Sequence, residues 1–203
     1  MNILNRALLL ITGLLAAYQI VVGIDHMEAG PIFAYTVGFG VLLVAGLLLI
    51  ILGFEVLESP IVVIVATLIP LALSTGLICQ YLPEWRNAYM AFAVLGFSAV
   101  ILTRSFPMHG SLHERLPVLV LVIVHGLAGI VITFLPLFLV IQSKVPAGFM
   151  LVGVGGALIG LGGLLLAFLK TGRPILSKHT ILNVLPGLLV LMTAAFVGGF
   201  AFA

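Results

Sequence analysis

The stretch that decides the fold is Leu116–Gln142, LPVLVLVIVHGLAGIVITFLPLFLVIQ, which runs for 27 residues without an Asp, Glu, Lys or Arg. In lipid, every backbone N–H and C=O must be satisfied within the segment, so such a run is read as a helix, and roughly 20 apolar residues cross a hydrocarbon core of about 30 Å. Six further runs qualify or nearly do: 4–23, 32–54, 61–82, 88–104, 149–169 and 181–202. The run at 88–104 is the shortest. Its lower end takes in Thr103 and Arg104, and the long Arg104 side chain can snorkel to the interface. The expected fold is therefore all-α: a polytopic transmembrane bundle of seven helices forming one integral membrane domain over residues 1–203.

Composition agrees. Of 203 residues, 63% are apolar and 7% charged, where a soluble domain carries about 25% charge. A soluble enzyme, a disordered segment and a secreted disulfide scaffold are excluded. A net charge of +2 gives no reason to expect a nucleic-acid partner. The one cysteine, Cys79, permits neither an intrachain disulfide nor a cysteine metal cluster. The first run does not read as a cleavable signal peptide. Only Arg6 precedes its apolar core, and no small-residue cleavage site follows before Asp25-His26. Connections are short, so the protein is expected to act in the bilayer or at its two faces.

Lys and Arg set the expected orientation. Arg6, Arg104, Arg115, Lys170, Arg173 and Lys178 fall on one side of the seven spans, and only Arg86 and Lys144 on the other. The positive-inside rule then puts the N-terminus in the cytoplasm and the C-terminus outside, in the plasma (inner) membrane.

The spans echo one another. Thr12-Gly13-Leu14 with Tyr18 returns as Thr75-Gly76-Leu77 with Tyr81, and more weakly as Gly126-Leu127. Pro31, Gly38 and Gly40 return 115 residues later as Pro146, Gly153 and Gly155, while Val37-Gly38-Phe39 is like Leu95-Gly96-Phe97. These positions suggest three hairpins of about 60 residues in the same orientation, unlike inverted transporter repeats, plus a seventh, closing helix. The pattern resembles the HdeD-like family of short-repeat membrane proteins, loosely over residues 10–170. That resemblance implies a bacterial inner-membrane protein linked to acid stress, with no established chemistry. Family members usually have six helices.

Candidate functional residues are few. Helix six carries Gly153, Gly155, Gly156, Gly160, Gly162 and Gly163, and helix two carries Gly38, Gly40 and Gly46. Small residues at this spacing let helix backbones approach closely, so these glycines are expected to pack helices, within the bundle or against another subunit or copy. Room for a flat cofactor or a lipid tail is a further use. His125 is the one ionisable side chain well inside a span, which makes it a functional candidate. It is expected either to hydrogen-bond a carbonyl, Thr or Tyr, or to hold a quinone or haem. His109 and His113 share i, i+4 spacing, but zinc needs more ligands, and only Glu114 and His179 are at hand. A solvated loop is expected there. Arg104, Arg115, Lys170, Arg173 and Lys178 make a basic rim suited to anionic lipid headgroups. On the other face, Trp85 and Tyr89 are expected to anchor helix ends. Pro70, Pro136 and Pro186 are expected to kink the third, fifth and seventh helices.

No span has an acidic or basic residue near its middle, and no Ser/His/Asp set, HExxH or phosphate loop occurs. Catalysis by this chain alone is not expected. The leading expectation is a non-catalytic accessory subunit of a larger membrane assembly, or a homo-oligomer, needing no cofactor. The alternatives are a redox anchor for quinone or haem b near His125, and a pore or carrier for a small neutral solute.

Overall fold

The structure, a computed structural model, describes residues 1–24, 27–105, 116–170 and 176–203, and of Glu58 and 167–170 the backbone alone. Its helices are α1 (Ile3–Val22), α2 (Ala29–Leu52), α3 (Pro60–Tyr81), α4 (Arg86–Ser105), α5 (Leu116–Ile141), α6 (Met150–Lys170) and α7 (Lys178–Phe200). All seven are long and apolar enough to cross a membrane. The chain is a multi-pass integral membrane protein, and no strand occurs among the described residues.

Helix ends follow local chemistry. Asn2 caps α1 by accepting from the Asn5 N–H at 2.7 Å, and Ser177 caps α7 by accepting from the Thr180 N–H at 3.1 Å. Each side chain satisfies a donor that the first helical turn leaves open. The polar first turn of α7 hides its start from a hydropathy count, which is why α7 begins three residues earlier than expected. α2 also begins early, because Pro31 sits in its first turn, where its missing N–H costs nothing. Gly23 and Gly53 end α1 and α2 at φ +69° and +76°, a backbone region open mainly to glycine.

Six helices close a ring in the order α1, α2, α3, α5, α6, α7 and back to α1. α4 stands outside, packed on α3 and α5. Only 6% of its apolar window is buried, against 44% for α3, so α4 is the peripheral helix. The ring divides into two trios in which α2 lies between α1 and α3, and α6 between α5 and α7. α1, α3, α5 and α7 start on the same side of the bundle, called below the near side.

Aromatic rings fill the far half of the ring. Phe200 stacks against Tyr35 at 4.6 Å, Phe39 at 6.1 Å and Phe149 at 6.2 Å, and Tyr81 meets Phe149 at 5.3 Å. Phe39, Phe149 and Phe196 are fully buried. A smaller core of Leu71, Val100, Val124 and Ala128 joins α4 to α3 and α5. Buried hydroxyls turn back on their own helices: Thr12, Thr67, Ser74 and Thr193 each donate to the carbonyl four residues earlier. Pro70, Pro136 and Pro186 are buried inside helices assigned without interruption.

Candidate functional site

α6 is wedged between two neighbours by its glycines. A methyl group on Gly153 would sit 2.6 Å from the Thr133 carbonyl oxygen, and one on Gly156 would sit 2.9 Å from the Thr133 nitrogen. No Cβ tolerates either distance, so the α5 backbone lies directly against α6. On the other side of α6, a Cβ on Gly155 would stand 2.6 Å from the Phe196 ring, and one on Gly199 of α7 would stand 2.6 Å from the Val152 nitrogen. In lipid, where apolar burial gives helices no reason to associate, such backbone proximity is the main source of cohesion.

The other glycines divide. A Cβ on Gly38 would stand 3.2 Å from the Leu73 side chain, one on Gly46 3.4 Å from the Leu9 carbonyl oxygen and one on Gly163 3.7 Å from the His125 ring. Gly40 and Gly160, expected to pack helices, meet nothing within 4 Å. The Gly156-x-x-x-Gly160 spacing is right for one helix face, but a Cβ on Gly156 would meet α5 and one on Gly160 would meet nothing. Gly126 and Gly129 of α5 are likewise open.

His125 of α5 faces Gly163 of α6, its Nε2 lying 3.7 Å from where a Cβ on that glycine would stand. Its ring is half-buried. The expected hydrogen bond to a carbonyl, Thr or Tyr is not formed among the described residues, and the α6 residue that faces the ring is Gly163. His125 and Gly163, with the open Gly126, Gly129 and Gly160 on the same two helices, make the face called the notch below. A polar ring lies beside a surface that a backbone or a flat molecule could approach.

Of the expected basic rim, Arg104 is half-buried at the end of α4 and Lys178 is exposed at the start of α7. Arg115, Arg173 and the Lys170 side chain lie outside the described residues, as do Asp25, His26, His109, His113 and Glu114. Among the described residues no three His, Cys, Asp or Glu side chains gather to hold a metal. Trp85 is 61% exposed, as an interfacial anchor would be. Tyr89 is not such an anchor: its ring packs inward on Phe92 at 5.4 Å and against the main core.

Two polar contacts escape a reading by spans. Asn5, only 3% exposed, donates from Nδ2 to Asn183 Oδ1 at 3.2 Å, and Asn183 in turn pairs with His179, tying α1 to α7 on the near side. Asn in an apolar run was the available signal. On the far side, Arg86 Nη2 donates to Glu28 Oε2 at 3.0 Å and to the Cys79 carbonyl at 3.3 Å. Glu28 and Arg86 lie 58 positions apart in the chain, and no local pattern joins them. Comparisons with protein-family models, curated proteins and solved structures found no match to this chain.

Proposed function

We propose that this is a non-catalytic membrane protein that associates laterally, its α5–α6 notch receiving a transmembrane helix from a second copy or from another subunit. One observation carries the reading: the His125 ring lies within a membrane span, without a hydrogen-bond partner among the described residues, beside Gly163 and on helices whose Gly126, Gly129 and Gly160 have nothing packed on them. An unpaired polar group in hydrocarbon costs several kcal/mol, on the order of a lost hydrogen bond and its desolvation. A carbonyl or hydroxyl on an incoming helix removes that cost, and the glycines let its backbone come close. The aromatic filling of the ring favours this reading over a pore for a neutral solute. With the N-terminus cytoplasmic, as the Lys and Arg distribution suggests, the notch lies in the inner half of the bilayer. The resemblance to HdeD-like proteins would add a role in acid stress.

Native mass spectrometry of mildly solubilised protein tests the association. Wild type is expected as a complex, and His125→Leu or Gly160→Leu as a smaller species with unchanged helix content. A monomeric wild type, or variants that keep the complex, would overturn it. A quinone or haem occupying the same notch is the second reading. A Soret band, or extractable quinone lost in His125→Leu, would favour it instead.

A further inference from the structure

Because α4 packs on α3 and α5 but stands off from α2, a cleft of about 700 Å³ opens between α2, α3 and α4. That volume falls in the range of small-molecule sites, roughly 300–1,000 Å³. Phe33 and Val37 of α2 form one wall, Met90 and Phe97 of α4 the other, and Ala72 and Thr75 of α3 the floor. The cleft is lined by apolar groups along its length and is polar at one end, where Arg86 and Glu28 meet. Along α4 it extends from Arg86 to Ser98, about 18 Å at 1.5 Å per residue. Half of a hydrocarbon core is about 15 Å. The cleft is therefore one leaflet deep, with its charged mouth at headgroup level.

The mouth carries both signs of charge. The two hydrogen bonds of the Arg86 guanidinium are made by Nη2, and Nε is buried with no acceptor. Glu28, its partner, keeps 71% of its side chain exposed. A phosphate would meet the guanidinium through charge-assisted bonds, but the Glu28 carboxylate beside it repels a headgroup of net negative charge. An ammonium next to the phosphate cancels that repulsion and donates to Glu28, which a quaternary ammonium cannot do. We infer that the α2–α3–α4 cleft binds one glycerophospholipid with a phosphoethanolamine headgroup, its phosphate on Arg86, its ammonium on Glu28 and one acyl chain along α3.

The purified, delipidated protein is reconstituted with phosphatidylethanolamine, phosphatidylglycerol or phosphatidylcholine of matched chains, each with a diazirine on one acyl chain. Bound lipid is counted by native mass spectrometry and crosslinks are mapped by peptide sequencing. The expected result is one retained phosphatidylethanolamine per chain, with labels on α2, α3 and α4. Ala93→Trp, which narrows the α4 wall, should abolish retention with helix content unchanged. Should that variant fail to fold, the exposed ion pair still decides. Arg86→Gln should weaken retention about ten-fold, as loss of one charge-assisted hydrogen bond implies, and Glu28→Gln should remove the preference over phosphatidylcholine. Equal retention of the three lipids, or labels spread over all seven helices, would overturn the proposal and leave only annular lipid. Wild-type crosslinks to a protein helix seated in the cleft would overturn it too.

Discussion

α2 and α6 hold matching places in the ring, each the middle helix of a trio, yet they are packed differently. Gly38 of α2 and Gly155 of α6 both face the third helix of their trio, and Gly46 and Gly163 both face the first. Each pair lies 117 residues apart, and the buried Pro70 and Pro186 lie 116 apart. The 115-residue echo seen in the sequence pairs Gly38 with Gly153 instead, but Gly153 faces α5, the first helix of its trio. What differs is the partner. On α2 a Cβ at Gly38 would stand 3.2 Å from Leu73 side-chain atoms and one at Gly46 an ordinary 3.4 Å from the Leu9 carbonyl oxygen. On α6 a Cβ at Gly153 or Gly156 would come to 2.6 or 2.9 Å from the Thr133 backbone, and one at Gly155 to 2.6 Å from the Phe196 ring. The lesson is that glycine content alone does not measure how tightly a membrane helix is held. The nature of the facing atom decides, because a side chain can turn aside and a backbone cannot.

The comparison breaks most visibly at Gly156. A leucine there must drive α5 away from α6, since the Thr133 nitrogen is part of a helix that moves only as a whole. Overpacking of this kind costs about 1–3 kcal/mol and sometimes more, and Gly156→Leu is expected at the upper end. A fall in melting temperature, with loss of helix signal at lower detergent challenge, checks it. If Gly156→Leu melted like wild type, α6 would be no more tightly held than α2. A smaller effect is expected from Gly38→Ala. The facing Leu73 atoms lie at 3.2 Å and need give only a few tenths of an ångström, while alanine gains up to about 1 kcal/mol of helix propensity. The net change should be a destabilisation below about 1 kcal/mol, measured by the same melts. A loss as large as that of Gly156→Leu would erase the distinction between the two helices.

Span boundaries were legible in the sequence because hydrocarbon thickness and helix rise leave little freedom: all seven expected runs end within three residues of the observed helices at both ends. Neighbour relations were not legible. The hairpin reading pairs α3 with α4, and they do touch, but α3 also reaches past α4 to α5. Hydropathy is nearly the same for lipid-facing and core-facing positions, so nothing in the chain marks α4 as peripheral. His125 stood out as a polar residue in an apolar run. That it finds no hydrogen-bond partner among the described residues depends on which α6 residue faces it, Gly163, and no local spacing encodes that. Gly156 and Gly160 look equivalent in the sequence and separate only once the angle between two helices is known. The Arg86–Glu28 pair was hidden for a similar reason, since the two residues lie on different helices and each reads alone as an ordinary interfacial charge.

Gly40 gives the smallest and most discriminating expectation. It lies in the interior of α2, with no atom within 4 Å of where a Cβ would stand, and its φ is not positive. Alanine should therefore fit without displacing anything. Glycine in a helix interior costs up to about 1 kcal/mol relative to alanine in water, and fixing fewer backbone conformers on folding acts in the same direction. Gly40→Ala should leave the melting temperature unchanged or raise it slightly, the opposite sign from Gly38→Ala two residues away. The two variants share a helix and a substitution, so the difference between them reports on what each glycine faces. A destabilised Gly40→Ala would mean that something packs on α2 at Gly40. Were that loss to appear only in the assembled protein, and vanish in detergent that separates the chains, the contact would come from another chain and α2 would join α6 as a docking face.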